Sequence, residues 1–253
     1  MVFALLYFHQ ARIATLRRSA PVLRQSIASC RSYHSYEDES RPPFPEPETA
    51  LLSAAYSHVP SQGFTETALT LGAKDAGYLD VSVNLFPRGV FDLVNYHLVT
   101  QRLALKDRVQ FSEDSKMGIG GKVRLLTLER LRANAPIIDQ WPQALAIMAK
   151  PSNVPPSLTE LAKLADEIWF LAGDVSVDSS WYTKRASLLA IYSSTELFMT
   201  QDKSPEYKET EQFLDRRLED LRKVGGGLSD VGEWLSFNAS ALVNVARSKG
   251  FKI

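Results

Sequence analysis

The chain has 253 residues, with 29 Lys and Arg against 29 Asp and Glu. Its formal net charge of zero argues against a uniformly basic nucleic-acid binder and against an acidic solvating tail. Hydrophobic residues make up 45 %, ordinary for a globular chain and too many for a disordered one. The single cysteine, Cys30, excludes a disulfide scaffold and a multi-cysteine metal site, and no apolar run reaches the roughly 18–20 residues that span a bilayer.

Residues 1–36 carry Arg12, Arg17, Arg18, Arg24 and Arg31 and no acid, and serines recur through the segment. An Arg-rich, Ser-rich, acid-free N-terminus has the pattern of a mitochondrial presequence, with a cut expected near Tyr33. The apolar stretch from Phe3 to Phe8 suggests a secretory signal instead. It is short, has no basic n-region before it and is followed by arginines, which favours import into the mitochondrion. Residues 37–47 read as a linker, because Pro42, Pro43, Pro45 and Pro47 cannot sustain a helix.

From Glu48 the chain reads as helices. Leu51, Leu52, Ala55 and Val59 recur at helical spacing, with a stop expected at Pro60. Thr65 is a good N-cap for a second helix reaching Asp75, a short element covers Val81 to Phe86, and a longer helix is expected from Gly89 to Val109. Residues 112–122 are polar and glycine-rich. Gly118-Ile119-Gly120-Gly121-Lys122 has the wrong spacing for a phosphate loop and reads as a plain loop. A helix to Asn134, a short proline-bracketed helix with Trp141, Leu145 and Met148, and long helices over 157–172, 180–200 and 204–224 follow. Sustained period-2 alternation is missing, so the fold class is all-α.

The last segment has its own character. Gly225-Gly226-Gly227 is a flexible joint. Beyond it, Leu228, Val231, Leu235, Leu242 and Val243 fall on one helical face with Trp234 on its flank, while Asp230, Glu233, Ser240 and Arg247 lie opposite. This is a hinged amphipathic helix, suited either to docking on its own bundle or to a membrane surface. The zero net charge divides unevenly: +5 in residues 1–36, −8 in 37–220 and +3 in 221–253.

Chemistry-bearing patterns are sparse. His58 and His97 have no ligand at i+4 and read as surface or packing histidines. Asp166, Glu167, Asp174 and Asp178 read as caps and solvated positions, and no nucleophile elbow occurs, so neither an enzyme nor a cofactor is expected. One segment stands out. Trp169-Phe170 and Trp181-Tyr182 flank a single inter-helix turn among acids and bases; aromatics beside charges are typical of protein-binding hot spots. Trp169 and Phe170 are assigned to core or cavity, Trp181 and Tyr182 to surface contact.

Two stretches carry a resemblance. Residues 51–99, with Gly63-Phe64-Thr65, the Ala73–Gly77 turn and Leu85-Phe86-Pro87-Arg88-Gly89, resemble the three-helix head of TetR-type regulators. A DNA-binding head needs bases near the phosphates, yet residues 78–86 hold no Lys or Arg and include Asp80. The DNA-binding regulator is therefore the alternative reading, and no nucleic-acid partner is expected.

The second stretch comprises Trp141-Pro142-Gln143-Ala144-Leu145, Asn153-Val154-Pro155, Gly173-Asp174, Trp181-Tyr182-Thr183, residues 190–197 and Gln201-Asp202. It resembles the mitochondrial ubiquinone-biosynthesis family Coq nine over roughly residues 48–250. The resemblance implies a TetR-like homodimer on the matrix face of the inner membrane. It implies an isoprenoid lipid or quinone intermediate as ligand, presented to the demethoxyubiquinone hydroxylase of the ubiquinone-synthesis complex. Carried onto this chain, the partner patch is Asp166, Ile168, Asp178, Trp181 and Tyr182; Ile168 departs from the family's methionine at that position. Candidates for the lipid site are Trp141, Leu145, Met148, Trp169, Phe170, Leu189, Tyr192 and Phe198. The membrane-binding residues are Leu228, Val231, Trp234, Leu235, Leu242 and Val243. The domain organisation expected is a presequence (1–36), a linker (37–47), a TetR-like head with its connecting helix (48–110), a lipid-binding and dimerisation body (111–224), and a hinge with an amphipathic helix (225–253).

Overall fold

A computed structural model of the chain describes residues 43–111, 116–175 and 180–224. The presequence, most of the linker and the hinged C-terminal helix lie outside these residues, as do Asp178 and the six membrane-binding positions. All described residues are in helices, turns or irregular segments, so the all-α expectation holds among them.

Three helices form the head: α1 (Glu46–Ser57), the one-turn α2 (Val59–Gln62) and α3 (Glu66–Asp75), followed by a 3₁₀ segment, Asp80–Leu85. Thr65 caps α3 as its sequence position predicts, its hydroxyl oxygen accepting the Ala68 N–H at 3.2 Å. α1 ends at Ser57, short of Pro60 as its sequence predicts; Pro60 then sits in the first turn of the separate α2, where its missing N–H has no intrahelical acceptor to lose. α1 and α3 cross at Gly72. A Cβ there would lie 2.3 Å from the Ala55 backbone nitrogen, so only glycine permits the approach.

The connecting helix divides at Ala104 into α4 (Val90–Leu103) and α5 (Leu105–Arg108). The body contains α6 (Ile119–Arg132), a 3₁₀ segment (Ala135–Gln140), α7 (Trp141–Met148), α8 (Val154–Leu171), α9 (Ser180–Met199) and α10 (Lys208–Val224). α6 starts inside the glycine run expected to be a loop, and α8 starts ahead of Ser157 because Pro155 and Pro156 fit its first turn. Pro205 opens only a 3₁₀ turn in which Glu206 and Tyr207 have φ of 56° and 58°. The Asp202 carboxylate then caps α10 by accepting from Thr210 N at 2.8 Å and Thr210 Oγ1 at 2.6 Å. Burial alone would raise Asp202, but bonds from Ser204 and Thr210 outweigh it and hold the carboxyl below its ordinary range.

Two apolar cores result. One joins α1, α3 and α4 to α7 through Leu51, Phe64, Leu69, Leu93 and Trp141. The other packs α6, α8, α9 and α10 through Leu126, Leu164, Ile168, Ile191 and Leu214. Ile138 touches both cores. Arg124 on α6 pairs with Glu211 (2.7 Å) and Asp215 on α10 and closes the outer side of the second core.

Candidate functional site

A cavity of about 290 Å³ lies where α4, α6, α7, α8 and α9 converge. Leu98, Leu145, Met148, Leu158, Leu161, Leu164 and Leu197 supply apolar wall, and Tyr192 closes it from α9. One side reaches the surface at Leu158, 58 % exposed despite its apolar side chain. The polar part of the lining is buried: Arg130, Glu160, Glu196 and the hydroxyl-bearing Tyr192.

Behind that polar lining runs a chain of hydrogen bonds linking the head to the body. Tyr56 OH is 2.8 Å from His97 Nδ1, and His97 Nε2 is 2.8 Å from Asn134 Oδ1. Asn134 Oδ1 can only accept, so His97 donates through Nε2 and accepts the tyrosine proton at Nδ1. Asn134 Nδ2 and Tyr192 OH both donate to Glu196 Oε1, each at 2.9 Å. Burial, aided by Arg130, pushes the His97 imidazole down to about 3, so it is neutral at physiological pH. Burial also raises Glu196, against an opposing pull from Arg130. Along the wall, Arg102 on α4 donates to Glu160 on α8 at 2.5 Å, a pair buried on both sides.

Of the lipid-site candidates, Leu145, Met148 and Tyr192 line this cavity. Leu189 shares a narrow packing gap with Leu161, Leu164 and Tyr192. The others lie elsewhere. Trp141 is fully buried in the head core, edge-on to Phe64 and 4.9 Å from His97. Trp169 is half-buried against α9, its indole N–H donating to the Lys184 carbonyl at 3.2 Å. Phe170 is 39 % exposed, and Phe198 stacks on Phe213 of α10 at 4.7 Å. Sequence reasoning missed the leucine row Leu158, Leu161 and Leu164 on α8 and the polar residues Arg130, Glu160 and Glu196. The row at i, i+3, i+6 was legible as a helix face, but nothing local marks that face as lining space rather than filling it.

The Trp181–Tyr182 patch forms at the start of α9. The two rings meet edge to face at 4.7 Å, and Arg185 lies 3.9 Å over the Trp181 ring. Arg185 Nε donates to Asp166 Oδ1 at 2.6 Å, and Lys184 Nζ donates to Asp174 Oδ1 at 2.8 Å, which fixes the corner between α8 and α9. Tyr182 is 66 % exposed. Ile168, expected in the partner patch, is fully buried in the second core and offers no surface to a partner.

The COQ9 family model matches residues 154–225, which include α8, α9 and α10. The ubiquinone biosynthesis protein coq9, mitochondrial, of Schizosaccharomyces pombe is 40 % identical over 220 residues, covering 87 % of this chain and 87 % of that protein. The chain belongs to the COQ9 family. The COQ9 protein of Rattus norvegicus is 35 % identical over 82 % of this chain and 67 % of its own length, and is likewise named mitochondrial. Among solved structures, a TetR transcriptional regulator from Nitrosomonas europaea superposes with a TM-score of 0.54, covering 68 % of this chain and 95 % of that one, at 15 % identity. That likeness gives this COQ9 chain a TetR-like fold.

Proposed function

We propose that this mitochondrial protein of ubiquinone biosynthesis binds isoprenoid quinone intermediates in the α7–α8–α9 cavity and presents them to the demethoxyubiquinone hydroxylase. The observation that carries the lipid reading is the cavity itself: leucine and methionine walls open to the surface beside an exposed leucine. Enclosing each methylene of a chain is worth about 0.8 kcal/mol, so even partial burial of a prenyl tail gives a strong driving force. Family membership supports the place in ubiquinone synthesis.

The Trp181–Tyr182 corner is the proposed contact for the hydroxylase. Its large exposed tyrosine, packed tryptophan and braced Arg185 suit a hot spot that needs little reordering on binding. The amphipathic segment 228–248, with its tri-glycine joint, supports peripheral attachment to the matrix face of the inner membrane, and the protein is proposed to act as a homodimer. Flotation with liposomes tests the membrane part: deletion of residues 228–253 should abolish co-flotation while the remaining helices keep their melting transition. Co-flotation unchanged by the deletion would remove that segment from the reading.

A further inference from the structure

Arg130 is 1 % exposed, yet none of the ion pairs among the described residues includes it. Its Nη1 donates to Asn134 Oδ1 at 2.9 Å, while its Nε is buried with no hydrogen-bond partner among the described residues. Glu196 Oε1, the acceptor beside it, already takes protons from Asn134 and Tyr192. A buried guanidinium with no ion pair is costly, and it can only donate, so it calls for an acceptor. This one lines the cavity.

The cavity's dimensions decide what that guanidinium can meet. At about 290 Å³ it sits at the lower end of ordinary ligand sites, which span ~300–1,000 Å³. It has room for roughly ten groups of water size, each taking about 30 Å³. A substituted six-membered ring fits; a long prenyl chain does not. Arg130, Glu196 and Tyr192 are buried while Leu158 is exposed, so the polar lining lies inside and apolar side chain marks the mouth.

We infer that the ring enters first. Arg130 holds an acceptor oxygen of the ring, a quinone carbonyl or a phenol oxygen, with Tyr192 and Glu196 completing the polar pole. The isoprenoid chain then trails past Met148 and Leu158 to the outside. This rests on the lipid-binding reading of the cavity and adds the orientation of the ligand and the chemistry of its head. Presentation then requires the ring to leave the pole, so the ring is protected until release.

The test is equilibrium dialysis of the full chain with three probes: a dimethoxy-methyl benzoquinone bearing one prenyl unit, a prenylbenzene hydrocarbon of similar size, and octanoate, which carries its acceptor on a fatty-acid head. The unaltered protein should bind the quinone at least tenfold more tightly than the hydrocarbon, and more tightly than octanoate. Arg130→Met should weaken quinone binding about tenfold, the order of one charge-assisted hydrogen bond, and leave hydrocarbon binding unchanged. Arg130→Lys should fall between. If Arg130→Met does not fold, the comparison of probes on the unaltered chain decides alone. Equal affinity for quinone and hydrocarbon, a preference for octanoate, or equal loss of both ring probes in Arg130→Met would overturn the inference while leaving an apolar cavity. Failure of every probe to bind would overturn the cavity reading itself.

Discussion

His97 on α4 donates its Nε2 proton to Asn134 Oδ1 at 2.8 Å, tying the helix that leaves the head to the turn that ends α6. Both residues are buried, and Asn134 passes the link on to Glu196 beside the cavity. The folded imidazole titrates at about 3, against about 6.5 in an unfolded chain, because burial disfavours its charged form. Between those values the unfolded chain binds a proton that the native state does not. The contribution is therefore complete above about pH 6.5 and is lost as the pH falls toward 3, by up to ~1.4 kcal/mol per unit. Glu196, raised by burial, has the opposite sign: its contribution weakens as the pH rises through its folded value. Urea unfolding at pH 7.5 and pH 5.5 should give a steeper loss of stability in the natural chain than in His97→Gln. Parallel losses in the two proteins would show that His97 is not held neutral.

The Arg102–Glu160 pair fixes α8 to α4 along the cavity wall. Glu160→Ala leaves Arg102 buried and unpaired and should cost about 3–5 kcal/mol, seen as a large fall in melting temperature. Arg102→Met with Glu160→Leu should recover most of that loss, since two apolar groups leave no charge behind. A double variant no better than the single would mean that the pair is replaced by solvent rather than by packing.

Gly72→Ala places a methyl within 2.6 Å of Ala55 backbone and side-chain atoms at the α1–α3 crossing. Backbone cannot swing aside as a flexible side chain can, so destabilisation should be at the upper end of the ~1–3 kcal/mol typical of overpacking, or beyond it. Gly77→Ala, where a Cβ meets no atom within 4 Å but φ is +78°, should cost less. Equal melting temperatures for the two variants would contradict the tight crossing.

Tyr182→Ala should lower hydroxylase binding with little change in melting temperature, because the ring is mostly exposed. Trp181→Ala also removes the ring beneath Arg185 and should cost some stability as well as binding. Pull-down of the hydroxylase alongside differential scanning fluorimetry separates the two effects. Melting that falls while the partner is retained would make both residues structural.

Much of the fold was readable because its signals are local. The Thr65 cap, the helical leucine spacing of α1 and the Gly77 end of α3 all act within a few residues. The start of α8 was misplaced because Pro155 and Pro156 break a helix interior but fit a first turn, and sequence alone does not say which side of the boundary they occupy. The site was only partly legible. Met148 and Tyr192 are large apolar residues that do line space, whereas Trp141 is equally large and fills the head core. Size does not distinguish filling a core from bordering a void. Arg130 and Glu196 escaped notice because a charged residue is buried only through partners far away in sequence, here joined by Asn134 across 62 positions.

The central claim is that the cavity holds an isoprenoid lipid. Native mass spectrometry of the full chain purified from its own mitochondria, followed by solvent extraction of what is bound, measures this directly. A prenylated quinone or quinone precursor should be recovered at close to one per chain, and should be lost in Leu161→Trp, which fills the cavity, at unchanged fold. A chain that is consistently free of isoprenoid lipid, or lipid equally abundant in Leu161→Trp, would contradict it.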